Sequence, residues 1–160
     1  MFWNAKNGTV KLGNTEMSYV SFGYGTRTLI LLPGLSDGLA TVKGKALLLA
    51  KPYAPFFDRY TVYMFSRKND MPEGYSIRNM AADQAEAMNI LGVGKACVMG
   101  VSQGGMIAQY LAIEHPELVE KLVLAVTAPR VNDMIQECVK RWIGFAEQGR
   151  HKGLMIDTAE

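Results

Sequence analysis

A chain of 160 residues, 49% hydrophobic and 20% charged, has the length of one domain and is too apolar to stay disordered. Its net charge of +2, with no basic run or Arg-rich stripe, argues against a nucleic-acid or anionic-membrane partner. Cys97 and Cys138 cannot build a disulfide framework and fit a reducing, cytoplasmic compartment; no stretch of 18 apolar residues is present, and MFWNAKNGTVK holds no readable signal peptide.

The chain alternates strand-like and helix-like segments. Residues 9–12 and 15–22 read as a hairpin turned at Gly13-Asn14, with Glu16, Ser18 and Ser21 as polar positions. Residues 28–32 (TLILL), 60–65 (YTVYMF), 96–101 (ACVMGV) and 121–126 (KLVLAV) are short apolar runs of the kind buried on both faces of a parallel sheet. Between them lie helical patterns. One falls between Val42 and Phe57, interrupted by Pro52 and Pro55. A second is capped by Ser76 and stopped at Gly92, and a third covers 103–114. This alternation predicts an α/β fold, a doubly wound and mostly parallel sheet with helices on both faces.

Residues 131–147 break the alternation. Met134, Ile135, Cys138, Val139, Trp142, Ile143 and Ala146 follow one helical stripe, with Asn132 as its cap. Gly149 and Gly153 then bracket a basic turn, Arg150-His151-Lys152. Gly92-Val93-Gly94 looks like part of a dinucleotide fingerprint, but it precedes a strand and so reads as a helix stop. No Cys/His cluster has metal-ligand spacing, and no metal or cofactor is implied.

The chemistry-bearing segment is Gly100-Val101-Ser102-Gln103-Gly104, which ends a buried strand and opens a helix. A serine there sits on a sharp, strained turn that lifts its hydroxyl above the carboxyl edge of the sheet, and the helix N-terminus behind it favours negative charge. The bland alternative is a serine that merely caps the helix. Leu31-Leu32-Pro33-Gly34-Leu35 ends an earlier strand at the same edge, so backbone N–H groups of Leu35 and Gln103 are candidates to hold a tetrahedral oxyanion.

With these pieces in place the sequence resembles the α/β-hydrolase superfamily from about Thr15 to Pro129. The matching segments are LILLPGLSDG, YTVYMFSRK, YSIRNMAADQAEAMNILGVGKACVMGVSQGG and AIEHPELVEKLVLAVTAP. The resemblance implies Ser102 as nucleophile, with Leu35 and Gln103 as oxyanion-hole donors. It implies a core over 1–129 and the start of a helical cap over 130–160. Three departures stand out. Pro33-Gly34 replaces the His-Gly of many members. SRKNDMPEGYS lacks the glycine-rich pattern common after the fourth strand. The catalytic acid and histidine, placed in the family after later strands, fall beyond Glu160, so the chain reads as an N-terminal portion. His115 reads as a helix-end residue, His151 comes too early for the family's histidine, and Asp133 belongs to the first turn of the cap helix.

The expected function is acyl transfer by a serine hydrolase on a small-molecule ester, lactone, thioester or amide. A perhydrolase or carbon–carbon bond hydrolase on the same fold, or a ligand-binding homologue without turnover, is the alternative.

Overall fold

The computed structural model describes residues 2–35 and 41–158; positions 36–40 of the LILLPGLSDG segment lie outside them. Six strands form one sheet in the order β1-β2-β4-β3-β5-β6. They are β1 (Lys6–Leu12), β2 (Thr15–Phe22), β3 (Arg27–Leu32), β4 (Tyr60–Phe65), β5 (Ala96–Val101) and β6 (Val119–Ala125). The β1–β2 hairpin turns at Gly13, whose φ of +58° suits glycine, and β2 runs antiparallel to β4. The remaining pairs are parallel, so β5 lies between β3 and β6.

Period-2 alternation sorts the strand side chains onto two faces. Ile30, Leu32, Phe65 and Val98 enter one core with residues of α2 (Ile77–Ile90) and α3 (Gln103–Glu114), among them Ala85, Met88, Ile107 and Leu111. Leu29, Leu31, Val62 and Met64 enter the other, with Ala46 and Ala50 of α1 (Ala46–Ala50) and with Phe57. The helical pattern from Val42 to Phe57 therefore resolves into a short α-helix, followed by a 3-10 turn over Lys51–Phe56 that carries both prolines. α2 starts at a capping box: the Ser76 hydroxyl accepts from the Asn79 N–H, and the Asn79 side chain accepts from the Ser76 N–H. Gly92, at φ +65°, follows its end.

β6 departs from expectation. It begins at Val119, and Leu122, Val123 and Leu124 are 37%, 51% and 43% exposed although their run reads as a doubly buried strand. Among the described residues the strand stands at the sheet edge, paired with β5.

The chain divides into two compact units, Met1–Ala128 and Pro129–Glu160. In the second, Asn132 caps α4 (Asp133–Glu147) by accepting from the Ile135 N–H, and Gly149 at φ +66° follows that helix. The basic turn expected at 150–152 is instead the start of a helix, α5 (His151–Asp157). A carboxylate joins the two helices: Asp157 accepts from Trp142 Nε1 at 2.7 Å and from Arg141 Nε at 2.8 Å. On the predicted stripe of α4, Cys138 and Trp142 are half-buried while Met134 and Ile143 stay exposed.

Hydrogen bonds from Arg141 and then Trp142 hold the Asp157 carboxyl below its ordinary pKa. A carboxylate with a depressed folded pKa stabilises the helix pair above its unfolded pKa, and loses that contribution as pH falls through the folded value. Trp142 fluorescence, read in a Trp3→Phe background, should therefore report loosening only below the ordinary aspartate range. Asp157→Asn should weaken the pair at neutral pH and flatten the acid transition; an unchanged acid limb would refute the carboxylate's role.

Candidate active site

Parallel register brings the carboxyl ends of the central strands to one edge: Leu31 pairs with Met64, Leu32 with Gly100 and Gly100 with Leu124. Ser102 stands one residue past β5 at φ 53°, ψ −122°, a left-handed conformation that costs a non-glycine residue about 1–3 kcal/mol. It is exposed, and its side chain makes no capping hydrogen bond to α3. The reading of Ser102 as a mere helix cap is thereby set aside.

Ser102 is held through its backbone instead. Its N–H donates to the Ala125 carbonyl at 3.0 Å, and its carbonyl accepts from the Thr127 hydroxyl at 2.7 Å and from the Gly105 N–H at 2.9 Å. The end of β6 thus grips the turn on both sides, with Val126 at φ 49° between the two holds.

The glycines are required by close approach. A Cβ on Gly100 would lie 2.5 Å from the Gly104 carbonyl oxygen and 2.6 Å from Gly105 Cα. One on Gly104 would run into the Leu32 carbonyl and come within 2.5 Å of that of Pro33. The loop after β3 therefore packs directly on the turn. A Cβ on Gly34 would lie 3.3 Å from Ser102 Cβ and 3.8 Å from Ser102 Oγ. Leu35, in the next position, is 57% exposed. Gln103 opens α3, where a helix's first N–H groups have no intrahelical acceptor. Ser102, Gln103 and the Pro33-Gly34 loop are thus gathered at one place.

The loop after β4, whose pattern the sequence left unread, adds Arg67 to this group. Arg67 is 6% exposed, and its Nη2 donates to the Pro33 carbonyl at 2.9 Å and to Gln103 Oε1 at 3.1 Å. Its neighbours are fixed independently. The Ser66 hydroxyl accepts from the Val42 N–H at 3.0 Å, and Lys68 Nζ lies 3.3 Å from Asp83 Oδ1 and 4.2 Å from the Tyr75 ring centre. Tyr75 donates its hydroxyl hydrogen toward the Asp83 carboxylate, whose two oxygens both lie 2.9 Å away. The Tyr75 hydroxyl and then Asp83 raise the pKa of Lys68, and partial burial raises that of Tyr75, so a cation and a neutral phenol stand together beside Asp83.

The two histidines belong to different units. His115 follows the last residue of α3, a helix of 12 residues that spans about 18 Å, and its Nδ1 lies 3.4 Å from Glu117 Oε1. His151 opens α5, and Asp133 lies in the first turn of α4, both in the second unit. Among the described residues no group of three or more His, Cys, Asp or Glu could hold a metal ion, and no helix is long and apolar enough to cross a membrane.

A doubly wound sheet with a strained turn between strand and helix, packed against the loop of a neighbouring strand, is the core of an α/β hydrolase. The family model for the alpha/beta hydrolase fold matches residues 28–146, and the chain belongs to that family. It is 25% identical over 151 residues to 3-oxoadipate enol-lactonase 2 of Acinetobacter baylyi, covering 91% of this chain and 52% of that one. To the candidate carbamate hydrolase RutD of Serratia proteamaculans it is 38% identical over 73 residues, 46% of this chain and 27% of the other. A hydrolase from Pseudomonas aeruginosa PA01 superposes with a TM-score of 0.68 at 19% identity, over 91% of this chain and 57% of that chain, a likeness of fold. The chain thus spans about half the length of the enol-lactonase, and less of RutD.

The strain at Ser102 predicts that Ser102→Gly is more stable than Ser102→Ala by about 1 kcal/mol in denaturant unfolding. The close approach at Gly104 predicts that Gly104→Ala costs about 1–3 kcal/mol, since a backbone carbonyl must move. Neutral results would show that the turn is looser than its geometry.

Proposed function

We propose that this chain carries the nucleophile and oxyanion hole of a serine hydrolase acting on a small ester, lactone, thioester or amide. The observation that carries the reading is Ser102 itself, exposed, strained and not used as a cap. Its Oγ attacks the substrate carbonyl carbon, giving its proton to a base. The N–H groups of Gln103 and Leu35 hold the oxyanion, and collapse expels the leaving group and leaves an acyl-serine that water cleaves. The names of the relatives, an enol-lactonase and a candidate carbamate hydrolase, agree with carbonyl chemistry.

The base and its orienting acid come, on this reading, from polypeptide beyond Glu160. Two facts support this. His115 ends a helix that leads away from Ser102, and the chain spans about half the length of the enol-lactonase. The cytoplasm is the proposed compartment, since two cysteines, Cys97 and Cys138, make no disulfide framework; no cofactor enters the scheme.

A fluorophosphonate probe on the full-length protein should label Ser102, identified by peptide mass, and Ser102→Ala should abolish both labelling and ester turnover. Tight ligand binding with no labelling would indicate a receptor and overturn the hydrolase reading. Residues 1–160 alone should hydrolyse p-nitrophenyl acetate very poorly, since an oxyanion hole without its triad partners leaves only about 10³–10⁴-fold acceleration over water. Full rates from 1–160 that vanish on His151→Ala would place the base within this chain.

A further inference from the structure

Three chain segments meet at one nitrogen. Arg67 Nη2 is 2.9 Å from the carbonyl oxygen of Pro33 and 3.1 Å from the side-chain oxygen of Gln103. Pro33 lies two residues before Leu35, and Gln103 follows Ser102 directly, so the guanidinium joins the two segments assigned the oxyanion donors. Burying a cation that cannot shed its proton is costly unless its donors are used, and Arg67 is 6% exposed. The backbone on either side is pinned by Ser66 and Lys68 through separate partners, which fixes where the guanidinium stands.

We infer that Arg67 is a positioning residue of the oxyanion hole, setting the separation and orientation of the Leu35 and Gln103 N–H groups without touching substrate. This rests on the proposed role of Ser102. An oxyanion hole works only if its donors are already placed when charge develops on the carbonyl oxygen. The loop after β3 and the turn after β5 are joined by no covalent link nearer than the strands themselves, and small independent drifts of the two would misplace the donors. A bridge that binds both removes that freedom. Its loss should therefore be felt in the transition state more than in substrate binding.

The test uses the full-length polypeptide, with active sites counted by fluorophosphonate titration so that rates refer to folded enzyme. Arg67→Met should lower kcat per titrated site by about 10–100-fold, less than or near the loss of a whole oxyanion donor, with KM within about twofold. Affinity for a boronic acid that forms a tetrahedral adduct should fall in step with kcat/KM. Arg67→Lys, or guanidinium ion added to Arg67→Met, should recover part of the rate. Gln103→Met keeps the backbone N–H and removes the acceptor; it should lower kcat in the same sense, and decides the matter if Arg67→Met does not fold. The double variant should lose little more than Arg67→Met alone. Unchanged kcat per titrated site in Gln103→Met and in every folded Arg67 variant, with only the folded fraction reduced, would overturn the positioning role and leave Ser102 as nucleophile. Turnover that survives Ser102→Ala would instead overturn the serine reading and this role with it.

Discussion

The first unit is organised around one backbone conformation that an L-residue resists, that of Ser102. The turn persists because what surrounds it fixes it from every side. β5 delivers the chain to it, α3 leaves from it, and Ala125 and Thr127 hold its N–H and carbonyl from the end of β6. Gly100, Gly104 and Gly105 are then consequences. So sharp a reversal brings strand, helix and neighbouring loop within a distance at which no Cβ fits. The strain is sustained by the two cores beneath, where whole side chains such as Phe22, Phe65, Met88 and Leu111 are removed from water.

The same packing explains how a chemically plain set of residues becomes a site. Leu35 and Gln103 enter the proposed chemistry only through their N–H groups, which every residue but proline has. What singles them out is the parallel register, which ends β3 and β5 side by side, and the crossover that returns the chain between them. Substitution at Leu35 would leave its donor in place so long as the backbone path survived, whereas Gln103 also lends its side-chain oxygen to Arg67. The pressure on sequence falls instead on the glycines and on whatever holds the two segments together.

Much of this was legible beforehand, because its causes are local. A short apolar run followed by Gly-x-Ser-x-Gly and an amphipathic stretch announces a strand, a turn and a helix, and a serine just before a helical pattern announces the cap at Ser76, though not its reciprocal bond from Asn79. What escaped depends on partners far along the chain. The segment 151–157 contains Gly153 and follows a helix-breaking glycine, so by propensity it reads as a turn; it is helical beside α4, where Asp157 meets Arg141 and Trp142 sixteen and fifteen residues back. The exposure of β6 depends on which strands stand beside it, which its composition cannot tell. Arg67 sits in a polar stretch that looks like surface loop, and only three-dimensional placement shows it buried against Pro33 and Gln103. A cation two residues past the end of an apolar strand was the available signal.

The links made by Arg67 reach across 34 residues to Pro33 and across 36 to Gln103. Contacts that span such distances close large loops, and the entropy of closing them is recovered only when the intervening strands have docked. Neither the β1–β2 hairpin, nor α2, nor the β5–α3 segment alone can assemble this arrangement. The site arises together with the sheet, as a property of the finished topology and not of any fragment along the way.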